Sequence, residues 1–75
     1  MRNPVDIKAF GTHLRKIRER NKLSQQQLAD MANVAKITIQ RIENAKYAVT
    51  LDVMVSIAKA LDISLKELTA FKVKK

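Results

Sequence analysis

The chain has 75 residues, 47% of them hydrophobic, no cysteine, and a net charge of +8 from 15 Lys plus Arg against 7 Asp plus Glu. That length supports a single small domain over residues 1–75, and the missing cysteine excludes disulfides and thiolate metal sites. One histidine, His13, cannot form an imidazole cluster, so neither a metal nor a cofactor is expected.

The basic excess selects polyanions as partners, with nucleic acid ahead of an anionic membrane. It is uneven, because residues 1–50 carry 10 basic and 4 acidic residues and residues 51–75 carry 5 and 3. Gly11 and Pro4 are the only Gly and Pro. A β-rich fold of this length would draw on several such turn formers, so the composition predicts helices. No apolar run reaches signal-peptide or membrane-span length.

In chain order, the first helix is predicted to open near Asn3-Pro4-Val5-Asp6, with Asn as cap, Pro in the first turn and Asp6 favoured by the dipole. Ile7, Phe10, Leu14 and Ile17 form its apolar stripe. Asn21-Lys22 ends it, with Asn21 suited to left-handed geometry. Ser24-Gln25-Gln26-Gln27 reads as a capping box opening a second helix that buries Leu28, Met31 and Ala32. Asn33-Val34 is a turn, and Ile39 and Ile42 mark the inner face of a third helix at about 35–44. Thr50 caps a fourth helix with Leu51, Met54, Val55, Ala58 and Leu61 inward, and Asp62-Ile63 breaks it. Ser64-Leu65-Lys66-Glu67 is a second capping box, opening a fifth helix that buries Leu65 and Leu68. Residues 72–75 read as a frayed basic tail.

The second and third helices, with a three- to four-residue turn between them, have the proportions of a helix-turn-helix over residues 24–44. In such a unit the second helix enters the major groove while the first braces across the backbone. The run Leu23-Ser24-Gln25-x-x-Leu28-Ala29-x-x-Ala32-x-Val34, then Thr38-Ile39-x-Arg41-Ile42-Glu43-Asn44, resembles the phage-repressor and Cro-like (XRE-type) regulators. The resemblance extends through Leu51 and Ile57-Ala58-Lys59-Ala60-Leu61 to Leu68, covering residues 7–70. It implies an all-α, compact five-helix bundle of the lambda-repressor-like DNA-binding type. It also implies a sequence-specific regulator of transcription, in the main a repressor, acting as a homodimer on a palindromic operator of double-stranded DNA. The corresponding location is cytoplasmic, whether bacterial nucleoid-associated or phage-encoded.

With Ile39 and Ile42 inward, Ile37, Arg41 and Asn44 point most directly outward, flanked by Lys36, Thr38 and Gln40. Arg41 fits guanine O6 and N7 bidentately, or else serves as a phosphate contact or a solvated charge. Ile37 matches a thymine methyl group, or else is an ordinary surface apolar residue. Lys36, Thr38 and Gln40 are further base-contact candidates. Gln25, in the first turn of the second helix, sits where a phosphate is favoured, and the resemblance implies that role. Gln26, Asn44 and Lys46 are the remaining phosphate candidates. The resemblance also implies a partly buried ion pair between Arg18 and Glu43 that sets the angle of the third helix.

Two positions depart from the family pattern: Ala35 replaces the usual Ser or Thr cap, and Ala45 replaces the usual terminal Gly. They leave Asn44 or Ala45 to take any left-handed conformation. Tyr47 either packs on the fourth helix or touches the DNA backbone. An enzyme is not expected, since no nucleophile–base pair, Gly-rich phosphate loop or metal cluster is present. His13 reads as a surface or edge residue. The rival reading is an antitoxin that holds a toxin partner on Phe71, Val73 and the fifth helix, although the same patch suits a homodimer. RNA is disfavoured by the few aromatic side chains. With no second domain, no small-molecule ligand is expected.

Overall fold

A computed structural model describes residues 4–46 and 49–70, with side chains from Ile7 onward. Five helices follow one another: α1 Pro4–Arg20, α2 Gln25–Ala32, α3 Lys36–Glu43, α4 Leu51–Leu61 and α5 Leu65–Leu68. None is long and apolar enough to cross a membrane. Asn3, Tyr47, Ala48, Phe71, Val73 and the basic tail at 72–75 lie outside the described residues.

Local chemistry explains most of the helix starts. Ser24 Oγ accepts from the Gln27 amide while the Gln27 side chain accepts from the Ser24 amide, and Ser64 and Glu67 repeat the arrangement. Thr50 caps α4 through the Val53 amide. Ala35 precedes α3 with no side-chain cap, as its methyl group dictates.

The first four helices end in one shared way. A single residue turns left-handed: Lys22 (φ 57°), Asn33 (φ 59°), Ala45 (φ 58°) or Asp62 (φ 55°). The next amide then reaches back to a carbonyl five residues earlier: Leu23 to Arg18, Val34 to Ala29, Lys46 to Arg41 and Ile63 to Ala58. At the end of α1 the left-handed residue is Lys22, not Asn21, whose side-chain amide instead donates to the Ile17 carbonyl. At the end of α3 it is Ala45. Each non-glycine residue held this way costs roughly 1 kcal/mol. The packing beyond the turn offsets that cost in three cases, because Leu23, Val34 and Ile63 fold back onto the core. The fourth, Lys46, is exposed.

Every helix supplies a fully buried side chain: Leu14 from α1, Leu28 from α2, Ile39 and Ile42 from α3, Ile57 from α4 and Leu68 from α5. Burying each such side chain contributes about 1.5–3 kcal/mol, so a domain this small depends on all five helices. α2 packs on α3 and α4, α1 on α3, and α4 on α5.

Four expected core residues lie outward. Met31 is 52% exposed and Leu51 62%, while Val55 and Leu65 are also exposed. In α2, Ala29 takes the inner place beside Leu28 and Ala32. In α4, the inner face runs through Ile57, Ala58 and Leu61, with Met54 packed against them. Periodicity marks an apolar arc, but a neighbouring helix covers only part of it. His13 sits at an edge, where its Nε2 donates to the Glu67 carbonyl at 3.0 Å and ties α1 to α5.

Candidate nucleic-acid interface

Ile39 and Ile42 are fully buried, which turns the opposite side of α3 outward. Lys36, Ile37 and Arg41 are exposed there, and Asn44 and Lys46 are exposed just past the helix. Thr38 and Gln40 are half-buried flanks. Ile37 is 49% exposed, although an apolar side chain in water gains nothing from that position.

The base of this helix is held by one carboxylate. Glu43, the last residue of α3, is buried among α1 and α2 side chains. Arg18 meets it as a fork, with Nε donating to Oε2 at 2.7 Å and Nη2 to Oε1 at 3.0 Å. The third arm of the guanidinium, Nη1, donates to the Leu23 carbonyl at 2.7 Å. A single side chain thus joins α1, the residue before the α2 cap and the end of α3. The Glu43 hydrogen bond, aided by the charges of Glu43 and Glu19 and opposed by burial, holds Arg18 protonated above its ordinary range. A raised value means the stabilisation is complete below the ordinary arginine value and is lost only as pH climbs past the raised one. The clamp therefore does not switch near neutrality through Arg18.

Two further side chains converge on Glu43 Oε1. Gln25 donates to it from Nε2 at 3.0 Å, and Arg15 Nε stands 3.6 Å away. Gln25 therefore belongs to the buried clamp as well as to the exposed start of α2. Gln26 is exposed and donates to Asp30 Oδ1 at 2.8 Å.

Sequence reasoning passed over two contributors here. Nothing local distinguishes Arg15 from the other cations of α1. Gly11 is buried in the middle of α1, where a glycine costs about 1 kcal/mol relative to alanine. A Cβ at that position would collide with the Ile42 carbonyl oxygen and lie 3.3 Å from Glu43 Cα. Gly11 therefore lets α1 approach the end of α3 backbone to backbone. Its lone occurrence within a helical pattern is a signal that could have been read.

Among the described residues, no cluster of His, Asp and Glu could hold a metal ion. The unit has instead a cationic outer edge on a helix whose inner edge and C-terminal end are fixed. Such an arrangement can donate hydrogen bonds to base edges and phosphates.

The helix-turn-helix (HTH_3) family model matches residues 14–68. Among solved structures, the chain is similar to the restriction-modification controller protein C.AhdI from Aeromonas hydrophila. The TM-score is 0.82 at 33% identity, covering 84% of this chain and 96% of that one. It is also similar to an HTH_3 family transcriptional regulator from Vibrio cholerae, with TM-score 0.83 and 25% identity, over 91% of this chain but 39% of that one. The clp gene regulator ClgR from C. glutamicum shares the fold, with TM-score 0.79 at 23% identity over 88% of this chain and 86% of that one. No curated protein sequence matches significantly. The match spans most of the chain and includes the α2–α3 unit with its clamp, and the chain therefore belongs to the XRE-type helix-turn-helix family of DNA-binding transcription regulators.

Proposed function

We propose that residues 1–75 act as one domain that binds double-stranded DNA sequence-specifically and represses transcription, with α3 in the major groove. The observation that carries this reading is the two-sided character of α3. Ile39 and Ile42 are locked into the core, while Lys36, Ile37 and Arg41 stand outward on a helix whose end Glu43 immobilises. Arg41 reads a guanine, Ile37 packs on a thymine methyl group, and Lys36, Thr38 and Gln40 contact neighbouring bases. Gln25, Gln26, Asn44 and Lys46 hold phosphates. Lys46 is the exposed residue at the one helix end where the other three fold an apolar side chain inward, which supports a role outside the core.

The chain works as a homodimer on a palindrome with half-sites about one helical turn apart. It acts in the cytoplasm without a small-molecule ligand or catalytic activity. Similarity to a restriction-modification controller protein supports control of gene expression as the output. The Phe71 and Val73 part of the expected partner surface lies outside the described residues, whereas Leu65 of α5 is exposed.

Selection of bound duplexes from a random pool tests specificity and symmetry together. The expected product is a short inverted repeat, and Arg41→Ala should lose discrimination at one base pair, about 1–3 kcal/mol. Equal binding of all duplexes by the unaltered protein would defeat the repressor reading. Copurification with an unrelated partner and no selected site would favour an antitoxin.

A further inference from the structure

We propose that Arg15 of α1 is a DNA-backbone contact and works as a unit with Gln25, the two being gathered by the same oxygen of Glu43. This rests on the DNA-binding reading above, and it adds a helix that the reading leaves out of the interface.

The argument begins with charge. Glu43 carries one negative charge, and Arg18 already meets it at 2.7 Å and 3.0 Å through two parallel hydrogen bonds. That pair is buried and self-neutralising. Arg15 approaches the same carboxylate at only 3.6 Å, with its side chain 51% exposed. It is therefore a surplus cation, oriented by Glu43 but not consumed by it. An exposed contact of this length holds an arginine loosely in water, so its remaining N–H donors stay available to a stronger anion.

Position supplies the second half. Gln25 Nε2 donates to Glu43 Oε1, and Arg15 Nε faces that same atom, so the two side chains meet at one point beside the start of α2. One hydrogen of the Gln25 amide is taken by Glu43, which leaves the other to donate outward. A neutral donor and a fork of cationic donors, spaced by one shared oxygen, match the oxygens of one phosphodiester. Gly11 explains how Arg15 gets there. It lies one turn earlier on the same side of α1 and brings that side against Ile42 and Glu43.

The other exposed cations of α1 provide the contrast. Lys8, Lys16 and Arg20 make no hydrogen bond or ion pair to the α2–α3 unit among the described residues. Arg20 borders a cavity lined by Ile63, Glu67 and Ala70, toward α5 and away from α3.

The test measures binding of the full chain to its selected duplex and to a scrambled duplex across a range of salt concentrations. Arg15→Ala is expected to weaken both complexes alike, about five- to tenfold, and to reduce the salt slope by about one. Arg20→Ala should change neither by as much as about twofold. Arg15→Lys should restore the salt slope, because it keeps the charge. The double variant Arg15→Ala/Gln25→Ala should lose less than the product of the single losses, because the two share one phosphate. Arg15 is exposed, so an unchanged melting temperature is expected for Arg15→Ala and Arg15→Lys. Gln25→Ala and the double variant also lose a hydrogen bond to Glu43, so their binding is compared well below their own melting temperatures.

If Arg15→Ala behaves like Arg20→Ala while Arg41→Ala still loses discrimination, this proposal falls and the DNA-binding reading stands. If the unaltered protein binds no duplex, both fall. If it binds all duplexes equally but Arg15→Ala still lowers the salt slope, the Arg15 contact stands and sequence specificity is lost.

Discussion

α2 and α3 are both eight residues long, lie side by side and are held by opposite means. α2 carries its own start signal, the reciprocal Ser24–Gln27 hydrogen bonds. α3 has Ala35 at that position and no cap at all. An isolated helix of eight residues is not stable in water, so α3 depends on contacts from elsewhere. Those are Ile39 and Ile42 in the core and the Arg18–Glu43 fork at its far end. The bracing helix is thus defined locally, and the reading helix is positioned by tertiary contacts. That division suits function, because the outer side of α3 remains available for bases.

The largest effect should come from the clamp. Glu43→Ala leaves Arg18 buried without its partner, a loss of about 3–5 kcal/mol that thermal or urea unfolding would reveal. A value near zero would mean that α3 is held by its isoleucines alone, and the contrast with α2 would collapse. Next is Gly11→Ala, which forces α1 and the end of α3 apart. It should cost about 1–3 kcal/mol despite alanine's better helix propensity. If Gly11→Ala raised the melting temperature, α1 would not press on α3 as described. The smallest effects form a mirrored pair at the helix starts. Ser24→Ala should destabilise by about 1 kcal/mol and Ala35→Ser should stabilise by a similar amount. Equal and opposite shifts in denaturant midpoint would sharpen the comparison. An Ala35→Ser that changed nothing would show that tertiary contacts already hold the start of α3.

Much of the fold was legible because much of it is local. Ser24 with Gln27, Ser64 with Glu67, and Thr50 each lie within three residues of the amide they satisfy, so spacing alone revealed them. The inner sides of α1 and α3 were equally plain from Phe10, Leu14, Ile17, Ile39 and Ile42. The outer edge of α3 followed from that inner face. Met31, Leu51, Val55 and Leu65 misled because an apolar residue beside a buried arc looks like part of it. Lys22 was missed as the left-handed residue because intrinsic preference favours Asn21. There the return hydrogen bond from Leu23 to Arg18 decides which residue turns.

By itself, then, the sequence determined five helices, the side-chain caps that start α2, α4 and α5, and a helix-turn-helix with α3 outward. These follow from interactions a few residues apart and from the 3.6-residue period. The family resemblance implied the Arg18–Glu43 pair, but only the tertiary structure decided that Gln25, 18 residues away, and Arg15 join it at the same carboxylate. It alone decided that Gly11 is a contact surface and not a flaw in α1. Such contacts depend on where two helices cross, and no spacing within one helix records that.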